Sequence, residues 1–305
     1  MNTQSRPISQ SFETNGIAPA ALSPTRPIYW SLRREFWENR YLYILPSAVA
    51  AVFFFGYMIS VIHSPGQLRA LGFMYNHDEI SGPFDISAAL LMATAILMSV
   101  FYCTEALHSE RRDRSILFWK SLPVSDATTV LVKASIPLLA IPVLVAAINA
   151  VMWLLMLLLG SIVVLATGGS IAALWAHVPI LRMSVLALYH LLTAHGLWPA
   201  PVYCWLLLVS GWARRAPFLW AALPIVAIGG LEKIAFNTSH FAGVIGERLF
   251  GSTAPIASTT VFPTDPMTHI TPGAFLGSPN LWIGLLIAAV FLALAVRLRH
   301  NQESI

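Results

Sequence analysis

Residues 134–181 read ASIPLLAIPVLVAAINAVMWLLMLLLGSIVVLATGGSIAALWAHVPIL, 48 positions without a single Asp, Glu, Lys or Arg. A helix needs about 20 predominantly apolar residues to cross a bilayer, so this stretch holds one span with a remainder, or two spans. Thr167-Gly168-Gly169-Ser170 is a breaker cluster inside it. The apolar piece that follows, 171–181, is too short to cross and suits an interfacial or re-entrant helix. One span plus that short helix is the reading adopted. Composition places the whole chain in the same setting: 57% of its 305 residues are apolar and only 10% charged, with a mean hydropathy of +0.70. A soluble domain carries about 25% charged residues to face water, so soluble, fibrous and disordered classes are excluded.

Working outward, uncharged runs recur at 41–62, 86–104, 183–213 and 266–296, the last opening in a Pro/Gly-rich stretch that moves its span to about Leu281. A shorter run, 216–231, ends at Glu232-Lys233. The chain is therefore expected to be an all-α polytopic membrane protein with six transmembrane helices, near 43–62, 86–107, 130–160, 183–210, 216–234 and 280–297. Six spans with the N-terminus inside put 14 of the 18 Lys/Arg on the inner side, leaving Arg69, Arg182, Lys233 and Arg248 outside. A seven-span arrangement gives 13 against 5. The pairs Arg214-Arg215 and Arg297/Arg299 abut span ends and both favour the inside, which selects six spans and cytoplasmic N- and C-termini.

Residues 1–24 are rich in Ser, Pro, Thr and Asn, lack the apolar core of a cleavable signal peptide, and read as a disordered cytoplasmic tail. The remainder, 25–305, reads as a single transmembrane domain. Its first piece, IYWSLRREFWENRYL at 28–42, predicts an interfacial elbow helix. Tyr29, Leu32, Phe36 and Trp37 share one half of the wheel, and Arg34, Glu35 and Glu38 the other. Arg33 and Arg40 fall in the aromatic half, from which long side chains snorkel to lipid phosphates. Residues 236–279 are rich in Gly, Thr, Ser and Pro and predict a cap of turns and short outer helices before the last span.

Signs of catalysis or metal chemistry are missing from the sequence. His190 and His195, five apart, point about 140° apart on a helix and cannot share an ion. His63, His77, Asp78 and Glu79 lack ligand spacing, and Cys103 and Cys204 lie in apolar runs as inert thiols. There is no HExxH, CxxC, Gly-x-Ser-x-Gly or paired intramembrane carboxylate. Glu105 and Glu232 fall at span ends, where interfacial solvation accounts for them. No span carries a central acid, which argues against a proton-coupled carrier. No catalytic, cofactor or metal site is therefore expected. The formal charge of +4 is assigned to inner loops rather than to nucleic-acid binding.

The loop between the second and third spans is the informative one. ERRDRSILFWKSLPVS at 110–125 enters on charges, then places Ile116, Leu117, Phe118, Trp119 and Leu122 on the cytoplasmic side before Pro123 stops the helix. Exposed apolar patches of this kind mark a partner or a membrane surface, and Ser125-Asp126 can cap the next helix. Glu110-Arg111, Ser115, the apolar patch, Lys120-Ser121-Leu122-Pro123-Val124-Ser125 and Lys133 resemble the first cytoplasmic loop of type-2 ABC exporter permeases, and GWARRAPFLWAALP at 211–224 is similar to bacterial members of that family. The large outer domain of some lipoprotein- or peptide-handling relatives is missing.

The resemblance implies a membrane-spanning permease subunit of an ATP-driven exporter in the bacterial inner membrane. Such a subunit forms the translocation path as a homodimer, or with a related permease, beside two ABC ATPase subunits. Glu110, Arg111, Ser115, Phe118, Trp119, Lys120 and Pro123 would then form the ATPase-coupling loop. The sequence has no Gly-x-x-x-x-Gly-Lys-Ser/Thr loop, so ATP and Mg would sit on the partner and this chain would not itself be an enzyme. An alternative from another class is an ATPase-coupled mechanical or regulatory subunit that moves no solute. It is separated from the first by whether a probe compound accumulates in cells lacking the chain.

Overall fold

The computed structural model describes residues 25–63, 77–112, 125–166, 168–250 and 272–301. Ser115, Phe118, Trp119, Lys120 and Pro123 of the expected coupling loop, and the expected tail 1–24, lie outside these residues. The described residues are helical, without a strand. In chain order the helices are α1 (Thr25–Glu38), α2 (Tyr41–His63), α3 (His77–Glu105), α4 (His108–Arg112) and α5 (Asp126–Ser135). A π-helical turn, Ile136–Ala140, joins α5 to α6 (Ile141–Ala166). There follow α7 (Ile171–His177), α8 (Ile180–His190), a second π segment at Leu191–Leu197, and α9 (Ala200–Trp212). The chain closes with α10 (Pro217–Phe236), α11 (His240–Phe250), α12 (Pro272–Leu276) and α13 (Pro279–Asn301).

Six helical segments are long and apolar enough to cross a membrane: Tyr41–His63, Gly82–Arg112, Asp126–Ala166, Leu174–Leu197, Pro217–Phe236 and Pro279–Asn301. Side-chain exposure fits that setting. Ile59, Phe101, Ile162, Leu181, Val226 and Phe236 are each more than half exposed, an arrangement water would penalise and lipid does not. In the 134–181 stretch one continuous helix runs to Ala166, Gly168 turns the chain at a positive φ of 76°, and the short α7 follows, within which the fourth membrane-length segment already starts at Leu174. Trp175 of α7 donates its indole N–H to Ser161 at 3.0 Å, which folds α7 back along the end of α6.

The expected span at 183–210 takes a different form. The segment bends through the second π segment and a break at Trp198-Pro199 into α9. Pro199 cannot donate the backbone hydrogen bond that would continue the helix. Instead Val202 and Tyr203 both donate their N–H to its carbonyl. The two π segments meet at Gly196, whose absent Cβ would lie 2.4 Å from the Leu138 carbonyl oxygen. Glycine is required there for contact, not for conformation.

α9 is the buried axis of one half of the bundle, packed against α3 and α13 and burying Tyr203, Leu206, Leu207 and Val209. In the other half α6 packs on α2 and α3. There the Trp153 indole N–H reaches Ser87 Oγ at 2.9 Å and the Phe84 carbonyl at 3.2 Å. α10 contributes only Pro217 and Ala221 to the interior.

Candidate functional site

A chain with so few charges places three acids and three bases together at one end of the bundle. Side chains of Glu35, Glu110, Lys133 and Arg299 are 2–6% exposed there. A buried charge is tolerable only when paired and hydrogen-bonded, and each of these is. Glu110, in α4, lies at the centre. Its Oε1 accepts from Arg34 at 2.8 Å and faces Lys133 Nζ at 3.2 Å. Its Oε2 accepts from Arg299 Nη1 at 2.6 Å. Lys133, near the end of α5, donates to Glu35 Oε1 at 2.8 Å, and the Tyr102 hydroxyl donates to the other Glu35 oxygen at 2.8 Å. Arg299 also donates from Nε to Asp126 Oδ1 at 2.8 Å.

The network therefore joins α1, α3, α4, the start of α5 and the end of α13. Arg34 also pairs at 3.0 Å with the half-exposed Glu38 on the rim; within the buried cluster Arg34, Lys133 and Arg299 balance Glu35, Glu110 and Asp126. Local structure delivers each member. Ser125 caps α5 by accepting the Thr128 N–H at 3.1 Å, which starts the helix at Asp126. Glu110 and Asp126 then stand on either side of 113–124, and the same guanidinium holds both.

The structure turns α1 in an unexpected sense. Parts of both halves face inward: from the polar half Glu35 is buried and Arg34 half-buried while Glu38 is exposed, and from the aromatic half Leu32 and Phe36 pack on the core. Tyr29, Trp30 and Trp37 are more than half exposed, and Arg33 stacks against Trp30 and Trp37 at 5.3 and 6.0 Å from their ring centroids. Of the expected site residues that are described, Glu110 enters the cluster. Arg111 instead points away from it and donates to the Gly211 carbonyl at the end of α9. His108 Nδ1 lies 3.2 Å from the carbonyl of Ala213, just past that end.

The sequence reading placed Lys133 in the loop pattern but did not foresee Glu35, Asp126, Arg299 or Tyr102 as its partners. The available signal was the scarcity of charge, since acids and bases this rare near span ends have few other partners. Glu232 is not a member. At the far end its carboxylate accepts from Thr238 Oγ1 and from the His240 and Phe241 amides at 2.7–2.9 Å, and so caps α11 from a distance. Among the described residues no group of three or more His, Cys, Asp or Glu is placed to hold a metal ion. Comparison with protein-family models, with curated proteins and with solved structures finds no match.

Proposed function

We propose that the chain is the membrane-spanning permease subunit of an ATP-driven ABC exporter in the bacterial inner membrane. In this reading it acts as a homodimer, or paired with a related permease, with both termini cytoplasmic and two separate ATPase subunits that bind ATP and Mg. The observation that carries the reading is the arrangement around 113–124. Arg299 holds Glu110 before that stretch at 2.6 Å and Asp126 after it at 2.8 Å, and Glu110 is tied onward to Arg34 and Lys133.

A displacement of the loop by a docked ATPase reaches three elements through charge-assisted hydrogen bonds, which are short and stiff. α1 moves through Arg34 and Glu35, α5 through Lys133, and α13 through Arg299. The outward-facing Tyr29, Trp30 and Trp37 suit an elbow helix lying on the inner leaflet, with Arg33 held among the indoles at phosphate level.

The loop itself supplies the docking contacts. Phe118 and Trp119, flanked by Arg111 and Lys120, are its aromatic residues, and central aromatic anchors typically cost about 2 kcal/mol or more when truncated. The double substitution Phe118→Ala, Trp119→Ala is expected to leave a folded, membrane-inserted chain whose affinity for its ATPase falls roughly 30-fold. The test is affinity purification of the tagged chain from its native operon in several mild detergents. Recovery of an ATP-binding subunit with the wild type and its loss with the double variant is the expected result. Recovery of none with the wild type, or equal recovery with both, overturns the proposal.

A further inference from the structure

Away from the ion cluster, Asn149 stands in α6 with its side chain inside the bundle. It is 1% exposed, and its Oδ1 has no hydrogen-bond partner among the described residues. Buried side-chain polar atoms are mostly paired, and one left without a partner costs free energy. Two further buried atoms share this condition: Ser184 Oγ in α8 and His195 Nδ1 in the second π segment. All three belong to one seam, where α6 packs on α8 and on its π-helical continuation.

Contacts at the two ends fix how the seam is aligned. Gly160 faces Leu174, whose Cδ2 would stand 3.5 Å from an added Cβ, and Gly196 meets the Leu138 carbonyl. The chain from Leu174 to Gly196 therefore runs antiparallel beside that from Gly160 to Leu138, both of equal length in residues. Asn149, eleven residues from Gly160, lies three turns along the same line of the helix and level with residues 184–185. Val185 is 47% exposed and turned outward, whereas Ser184 Oγ is buried. An amide and a hydroxyl thus reach one level midway along the seam without bonding each other. A hinge adjoins it. The second π segment and the break at Trp198-Pro199 separate α8, packed on α6, from α9, packed on α3 and α13. π-helical turns recur at functional sites, and Pro199 has no backbone N–H to continue the helix. We propose that α8 swings on this hinge and opens the α6–α8 seam to water in mid-membrane, where Asn149 and Ser184 bind it. Amide and hydroxyl carry no charge, so the opened cleft suits a neutral ligand rather than an ion. This inference rests on the six-helix membrane arrangement alone and is independent of any ATPase partner.

The test places Ser184→Cys or Asn149→Cys in the full chain in native membranes and treats it with 2-aminoethyl methanethiosulfonate, the labelled site being read by peptide mass spectrometry. The attacking species is the thiolate, which apolar surroundings suppress. Val185→Cys and Val151→Cys are the controls, at positions 47% and 58% exposed in the structure but turned to lipid. Both seam positions should label at least about tenfold faster than both controls, the reverse of their order of exposure. Adding Asn149→Leu to Ser184→Cys removes one of the two water-binding groups and should slow labelling about fivefold or more. Cys103 and Cys204, 0% and 1% exposed, stay in place, and their labelling would report an unfolded variant. The unsubstituted chain gives an independent reading: amides of 183–190 should exchange at least about tenfold faster than those of 203–210 in α9.

Three outcomes overturn the assignment. They are labelling at 184 and 149 no faster than at the controls, a Ser184→Cys rate that Asn149→Leu leaves unchanged, or equal amide protection of the two segments. The first would show a seam that stays closed and dry, and the second water that reaches Ser184 without Asn149.

Discussion

Glu110→Gln is the most informative single change, because it removes one charge from a cluster whose acids and bases are balanced. Gln keeps the shape of the side chain, so packing is conserved and the effect is electrostatic. In the wild type the Glu110 carboxylate stands 2.8, 3.2 and 2.6 Å from Arg34, Lys133 and Arg299. After substitution three cations face Glu35 and Asp126 inside the cluster, and only the half-exposed Glu38, 3.0 Å from Arg34, offsets the third. Breaking a buried ion pair by removing one partner costs about 3–5 kcal/mol, a large part of a total stability of about 5–15 kcal/mol. The assay is unfolding of the detergent-solubilised chain followed by circular dichroism, as a function of denaturant and of temperature. The diagnostic comparison is the double variant Glu110→Gln, Lys133→Met, which restores the balance at two acids and two bases and should recover at least about 2 kcal/mol. A Glu110→Gln loss below about 0.5 kcal/mol, or strict additivity in the double variant, would refute the argument that charge balance holds this end of the bundle together.

Other outcomes follow from single contacts. Ala216, just before Pro217, is held at φ 47°, a left-handed conformation costing a non-glycine residue about 1–2 kcal/mol. Ala216→Gly should therefore raise the thermal midpoint by a few degrees, net of the added chain entropy. Gly196→Ala would place a methyl 2.4 Å from a backbone carbonyl and should destabilise by about 1–3 kcal/mol in the same unfolding assay. Arg248 stacks on Trp198 at 4.4 Å from the ring centroid and donates to the Trp198 and Asn280 carbonyls at 3.3 and 2.5 Å, pinning α11 to α9 and α13. Arg248→Ala should speed amide exchange across 240–249 about tenfold or more, as expected for losing about 2 kcal/mol of local anchoring.

The membrane-crossing helices were legible because length and hydropathy alone specify them. The break after Ala166 was legible from one Gly-Gly breaker, but the start of the fourth membrane-length segment at Leu174, inside the piece read as too short to cross, was not. The bend within 183–210 also had a signal, Pro199 followed closely by Pro201, but the uncharged run concealed it: hydropathy measures transfer into lipid and is blind to backbone hydrogen bonding. The two π segments left no sequence mark. The charged cluster was legible only as a list of members. Between helices its pairings join residues 23 to 189 positions apart, and no local pattern encodes which acid meets which base. Glu35 shows the limit most clearly. The wheel of 28–42 separates it correctly from the aromatic residues, yet the usual inference from polar face to water fails. Beside a membrane, Tyr29, Trp30 and Trp37 have a favourable place outside, while Glu35 finds its partners within the protein next to Leu32 and Phe36.

That inversion also changes how the basic residues report orientation. The positive-inside argument counts cations free to interact with the membrane surface and the translocation machinery, and neutralised ones contribute little. Arg34, Lys133 and Arg299, three of the fourteen Lys/Arg that the proposed orientation puts inside, are spent on Glu35, Glu110 and Asp126. On the other side Arg248 is engaged with Trp198 and Asn280, leaving Arg69, Arg182 and Lys233. The ratio favouring the proposed orientation therefore persists once the structural charges are removed. Its weight then rests most on Arg214-Arg215 and Arg297, which abut span ends.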